Sequence, residues 1–223
     1  VLPVETGIAL LVQTPSGAQV LVDGGADASE LLTQLGTVMG FWDRSLDLLL
    51  LSTADKRSAA TQSALPTRLL AVGALGPPPT ASAADAAVDA WARALEAAAV
   101  PVTRTAAGGW VDLGDGVSLW AQAPPTSAPG KAQPLTWRLQ YGDFKLLLPG
   151  SAGTIDVAAD VLLLRAAAYG EGGRLTAGAP TLAVVYGAAS LDEEAAPQGV
   201  AVRYPETDGA IHIWSDGHGW GWE

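Results

Sequence analysis

"LDLLLLSTADKRSAAT", Leu46 to Thr61, reads as a buried strand running into a loop. An almost continuous apolar run such as "LDLLLLS" is the mark of a strand covered on both faces. Working outward from it, "IALLVQT" (Ile8 to Thr14) and "AQVLVDGG" read as two strands joined by the turn "PSG", Pro15 to Gly17. Between them and the apolar run, "DASELLTQLGTVMG" has helical spacing at Leu31, Leu32, Leu35 and Val38, with Asp27 or Ser29 as its cap. On the far side, "RLLAVGA" (Arg68 to Ala74) reads as another buried strand closed by "LGPPPT". Ser82 to Ala99 is the clearest helix: Ser82 and Asp85 resemble a capping box, Val88, Trp91 and Leu95 form one stripe, and Pro101 stops it. Strands alternating with helices imply a layered α/β architecture.

The second half is richer in strands. After "GGWVDLGDGVSLWA", the stretch Pro124 to Pro134 ("PPTSAPGKAQP") is a flexible excursion. "LTWRLQYGDFKLLLPG" is a hairpin around Tyr141-Gly142-Asp143, followed by strands at "DVLLLR", "TLAVVYG", "GVAVRY" and "AIHIWSDG". Each half therefore opens on a hairpin and continues into buried strands, which predicts two similar α/β halves with their helices outside.

Composition bounds the function. With 49% hydrophobic and 16% charged residues, the 223-residue chain is globular and large enough for a substantial core. It has no Cys, which excludes disulfides, thiolate metal sites and a cysteine nucleophile. No apolar run approaches a bilayer span. The chain opens "VLPVETG" without a Met and is expected to be a piece of a longer protein. A net charge of -11 argues against a free-standing nucleic-acid-binding module, which needs a basic face to displace counterions. It leaves open a local basic patch, or a domain held next to DNA by a larger partner.

The motifs in their order carry a resemblance. "VETGIALLVQTPSGAQVLVDGG", "FWDRSLDLLLLST", "LTWRLQYGDFKLLLPG", "ADVLLLR", "TLAVVYG" and "TDGAIHIWSDG" are similar, in sequence order, to metallo-β-lactamase-fold proteins. Among these they resemble the carboxy-terminal domain of the ComEC family of DNA-internalisation proteins. The resemblance implies one domain over residues 1–223. Its fold would be an α/β four-layer αββα sandwich of two similar halves with mixed sheets, and a metal site would lie at the strand ends. It implies as partners the transmembrane channel portion of the same parent protein and, weakly, single-stranded DNA, with no membrane insertion by this fragment itself. The implied location is the extracytoplasmic face of the bacterial cell membrane. In that family the domain is thought to degrade the strand that is not transported; such dinuclear sites bind a bridging hydroxide as nucleophile.

The ligands that this chemistry needs are missing. A pair of divalent ions takes neutral imidazoles and carboxylates, and the family's first cluster has the form His, x, Asp, x, Asp, His. Carried onto "STADKRS", the pattern puts Thr53 at the first His, Asp55 at the first Asp, Arg57 at the second Asp and Ser58 at the last His. Only Asp55 ligates well, and a guanidinium at position 57 repels a cation. The bridging Asp is replaced by Ser151, the His pair falls at Ala166, Ala167 or Ala168, and the last His falls at Ala196 before Pro197. The chain has two histidines in all, His212 and His218. They read as a strand-surface and a loop residue rather than as a relocated site with Asp216. No metal and no other cofactor is expected, and the vestigial positions are Thr53, Asp55, Arg57, Ser58, Ser151, Ala166, Ala167 and Ala196.

Other residues invite a functional reading. Asp23, with Gly24 and Gly25, is expected to be structural, its carboxylate accepting N–H groups within its own turn while both glycines take positive φ. Asp55, if not a residual ligand, is a solvated loop carboxylate. Lys56, Arg57, Arg165 and Arg174 map to loops around the lost metals, where they would hold phosphate or a carboxylate; scattered charge, or Arg57 paired with Asp55 or Asp23, is the plainer reading. Trp214, Trp220 and Trp222 in the tail are expected to pack rather than to stack on bases. Three functions are compatible with these residues. The first is a catalytically degenerate domain of a ComEC-type protein with a scaffold or DNA-guiding role. The second is an active metal-dependent nuclease or phosphodiesterase with a non-standard site, and the third an unrelated α/β binding domain. The ligand count favours the first over the second, and the motif order favours it over the third.

Overall fold

A computed structural model describes residues 1–79, 84–123, 134–150, 158–166, 180–187 and 199–223. Ser82 of the expected capping box and nearly all of the Pro124–Pro134 excursion lie outside these residues, as do Ser151, Ala167, Ala168, Arg174, Ala196 and Pro197. The chain forms two compact units, Val1–Ala106 and Ala107–Glu223.

The first unit opens on the expected hairpin. Strands β1 (Ala9–Gln13) and β2 (Gln19–Asp23) pair antiparallel from Ala9 opposite Asp23 to Gln13 opposite Gln19. Their turn closes with the Gly17 N–H donating to the Thr14 carbonyl at 2.9 Å, and Gly17 takes φ +92, where a side chain would be strained. Helix α1 (Ala28–Val38) starts at Asp27, whose carboxylate accepts from the Ser29 and Glu30 N–H groups, so Asp27 is the cap and Ser29 is not. Its buried side chains are Leu31 and Leu35, as the spacing requires.

Three expectations need correction here. "LDLLLLS" is not one strand: β3 (Ser45–Leu46) and β4 (Leu48–Leu50) are separated at Asp47. Asp47 is held by Gln19, accepting its N–H on the carboxylate and donating its own N–H to the Gln19 carbonyl, each at 2.8 Å. The segment beyond β4 is not simply a loop either. Lys56–Ala64 is a helix, α2, and Leu65–Thr67 adds a single 3-10 turn. Finally, Arg68–Ala74 is not a buried strand. Its Leu70–Ala71 pair, β5, binds only β3, and Leu70 and Val72 face solvent. The buried strand lies further on, at β6 (Ala74–Gly76). Helix α3 (Asp85–Ala97) then buries Val88, Trp91 and Leu95 as expected, and Pro101 precedes β7 (Val102–Arg104).

The sheet of this unit runs β1-β2-β4-β6-β7, antiparallel at the first pair and parallel after it. Parallel neighbours need crossovers, and α1, α2 and α3 supply them. Its core gathers Leu21, Leu31, Leu35, Leu49, Leu65, Trp91 and Leu95; burying each leucine stabilises by about 1.5–3 kcal/mol.

In the second unit a seven-stranded mixed sheet runs β14-β13-β12-β11-β10-β9-β8. Strands β8 (Trp110–Gly114), β9 (Val117–Gln122), β10 (Thr136–Tyr141) and β11 (Phe144–Leu148) form an antiparallel meander. Its first turn puts Asp115 and Gly116 at φ 53 and 79, the primed geometry that suits hairpins. Strands β12 (Val161–Arg165), β13 (Leu182–Tyr186) and β14 (Ala201–Arg203) continue in parallel, and the runs Val161–Leu164 and Leu182–Val185 are wholly buried. A separate ribbon of β15 (Ile213–Ser215) and β16 (Trp220–Trp222) closes the chain. Backbone-to-backbone approach pins this ribbon to the β10–β11 turn. The Asp143 N–H donates to the Gly217 carbonyl at 2.7 Å, and a Cβ at Gly142 would lie 2.2 Å from that oxygen.

Candidate functional site

The C-terminal ends of β2 and β4, with the start of α2, form the place where the sequence pattern puts its first ligand cluster. Asp23 ends β2 with φ 55, a left-handed conformation that Asp tolerates better than most side chains. Its carboxylate is buried. One oxygen accepts the Ser52 N–H at 2.9 Å and the other accepts the Ser52 hydroxyl at 2.5 Å. The structural reading of Asp23 therefore holds in kind but not in detail, because these donors lie on the neighbouring strand end rather than in its own turn. Gly25 does take positive φ, at 69, whereas Gly24 does not. Gly24 is small for a different reason: a Cβ there would press on Leu31 at 3.0 Å and on Thr61 at 3.2 Å.

Asp55 is not a free loop carboxylate. It is the N-cap of α2, accepting the N–H groups of Arg57 at 2.9 Å and Ser58 at 3.1 Å. Thr53 is half-buried, Ser58 is buried beneath the helix, and Lys56 and Arg57 are exposed on its first turn. Arg165 is exposed at the end of β12 in the second unit, and the buried Ala166 follows it.

Sequence reasoning missed the residue that organises this region. Gln62 of α2 is fully buried and donates from its Nε2 to the carbonyls of Asp23 and Leu50, each at 3.0 Å. Its Oε1 accepts the indole N–H of Trp91 at 3.0 Å. Thr61 adds a bond from its hydroxyl to the Gly25 carbonyl at 3.3 Å. Ser58, Thr61 and Gln62 recur at i, i+3 and i+4, so the signal was present as a helical stripe. It was a stripe of polar side chains, which an apolar template does not find.

The two histidines are peripheral. His212 is exposed and its backbone pairs with Glu223 in both directions, at 2.9 and 3.0 Å. His218 lies 3.6 Å from the Asp143 carboxylate, both on the surface. Asp216 closes its turn by accepting the N–H groups of Gly219 and His218, and those bonds, Gly219 first, hold its carboxyl below the usual carboxylate range. In the tail, Phe144 packs on Trp220 at 5.6 Å and Trp220 on Trp222 at 5.5 Å between ring centroids, so both tryptophans are engaged within the unit. Trp214 remains largely exposed over Gly221.

Among the described residues, no group of three or more His, Asp or Glu side chains is placed to hold a metal ion. Among the described residues, the carboxylates at these strand ends are engaged, Asp23 as a clamp on Ser52 and Asp55 as the cap of α2.

No family model matches the chain, and no curated protein matches it in a search. Solved structures do. Igni18, a metallo hydrolase from Ignicoccus hospitalis KIN4/I, matches at TM-score 0.54 and 14% identity over 88% of this chain and 90% of its own. Zn(2+)-bound PqqB from Methylobacterium extorquens matches at TM-score 0.51 and 17% identity over 71% of this chain. CmlA, a diiron β-hydroxylase from Streptomyces venezuelae, matches at TM-score 0.51 and 13% identity over 82% of this chain. The chain has the metallo-β-lactamase fold. It spans only 56% of PqqB and 43% of CmlA.

Proposed function

We propose that this chain is a catalytically degenerate metallo-β-lactamase-fold domain of a ComEC-type DNA-uptake protein, retained as a scaffold or DNA-guiding part. In this reading it sits beside the transmembrane channel of its parent, at the extracytoplasmic face of the membrane. The observation that carries the degeneracy is the commitment of Asp55, the one carboxylate at the first ligand cluster, to the α2 backbone. The ordered motifs from "VETG" to "SDG" support the family assignment.

Elemental analysis of the purified chain is expected to find no stoichiometric zinc, manganese or iron, and a nuclease assay with added Mn²⁺ is expected to be silent. Stoichiometric metal, or Mn²⁺-dependent cleavage lost in Asp55→Ser, would overturn the reading. Serine keeps the cap and removes the carboxylate, so that loss is not one of folding. A block of transmembrane helices encoded upstream is the outcome expected for a ComEC-type parent; a parent without one would sink the family assignment while leaving the degeneracy untouched.

A further inference from the structure

Four Asp-Gly pairs stand in the sequence, Asp23-Gly24, Asp115-Gly116, Asp208-Gly209 and Asp216-Gly217. In such a pair the glycine carries no side chain to shield its own nitrogen, so that nitrogen and the preceding carboxyl carbon can meet in a small ring. The fold ties up three of the four. The Asp23 carboxylate is buried and holds the N–H and the hydroxyl of Ser52. Asp208 accepts the Tyr204 N–H at 2.9 Å, and the Gly209 nitrogen donates to the Pro205 carbonyl at 3.2 Å. Asp216 accepts the N–H groups of His218 and Gly219, and the Gly217 nitrogen donates to the Ser215 hydroxyl at 3.0 Å. Groups held in this way cannot turn toward each other without breaking those bonds.

Asp115-Gly116 is the exception. It forms the tip between β8 and β9, flanked by the paired Gly114 and Val117. Both residues are exposed, at φ 53 and 79. Among the described residues the Asp115 carboxylate accepts no hydrogen bond, and the Gly116 N–H donates none. The peptide between them can therefore tilt toward the carboxyl group without breaking a bond of the ladder.

We infer that Asp115 is a modification site, where the Gly116 nitrogen closes on the Asp115 side chain and water reopens the ring to isoaspartate. A C–N bond forms at the carboxyl carbon while one of its C–O bonds breaks. The departing water carries that oxygen, the carboxyl proton and the Gly116 amide proton. Hydrolysis of the cyclic imide returns one water, so nothing is oxidised or reduced. Opening at the side-chain carbonyl restores aspartate; opening at the main-chain carbonyl routes the backbone through Cβ and Cγ. The isomer has the same mass and a longer backbone. A two-residue primed turn has no slack for the added atom, so β8 must shift against β9. Strand β8 lies at the edge of its sheet and is free to give. Trp110 and Trp120 sit opposite each other across this pair, stacked with ring centroids 5.5 Å apart. The inference does not depend on the proposed function.

Incubation of the full chain in heavy-oxygen water, followed by peptide mapping, tests it. Isoaspartate carrying heavy oxygen is expected at Asp115, and about tenfold less at Asp23, Asp208 and Asp216, whose bonds must break first. In urea, where those bonds are gone, all these sites should convert at similar rates. Near-UV circular dichroism from the stacked indoles should fade in step with conversion. Asp115→Gly keeps a turn of the same type without the carboxyl group and should hold its signal through the same incubation. No isoaspartate at Asp115, or as much at another of these sites in the folded chain, would overturn the inference. So would the same preference for Asp115 in urea, since flanking sequence rather than the fold would then set it. An unchanged indole signal after conversion would refute the shift of β8.

Discussion

Within the first unit, the polar segment Ser52–Gln62 turns inward while the aromatic turn Gly40–Asp43 turns outward. Hydropathy alone assigns them the opposite way. Ser52, Ser58, Thr61 and Gln62 are buried, and a polar group goes into a protein interior without large cost only when its hydrogen bonds are met. The inward segment meets them through the clamp on Asp23 and the three bonds of Gln62. Phe41 and Trp42 are apolar and still face water. In this fold polar side chains serve as framework while an aromatic turn is left on the surface.

If that contrast is right, substitutions should rank by how many buried partners they strand. Gln62→Leu should cost most, on the order of 4 kcal/mol, because it orphans two carbonyls and the Trp91 indole N–H; a urea melt of the variant checks it, and a loss under about 1 kcal/mol, the net worth of a single ordinary hydrogen bond, would break the comparison. Asp23→Ala should come next at about 3 kcal/mol, since the Ser52 N–H and hydroxyl lose their acceptor and alanine is strained at positive φ. Asp23→Asn should recover much of that loss in the same melt. At the cap, Asp55→Ala should cost about 1 kcal/mol and Asp55→Ser a few tenths. Phe41→Ser/Trp42→Ser should leave stability within about 0.5 kcal/mol. A larger change in that variant would mean that the aromatic turn is part of the framework after all.

Sequence patterns reached the fold wherever apolar side chains carry the packing. The β1–β2 hairpin, α1, the Val88–Trp91–Leu95 stripe and strands β10 to β15 of the second unit were legible. Helix α2 was not, because the side chains it buries are Ser58, Ala59, Thr61 and Gln62, which leave no apolar period. The break at Asp47 and the exposure of Leu70 and Val72 were hidden for a related reason. Both depend on which strand the chain joins, β4 entering the central sheet and β5 pairing only with β3.

The amino-acid sequence by itself determined the strands and helices that pack through apolar side chains, and that the chain holds two histidines in all. Those are matters of local period and of which functional groups the chain contains. Only the tertiary structure decided what the remaining polar groups do. Asp23, Asp55 and Gln62 gain their partners from segments distant in the chain or from a helix start that the packing places, and a hydrogen bond exists only once both ends are in position.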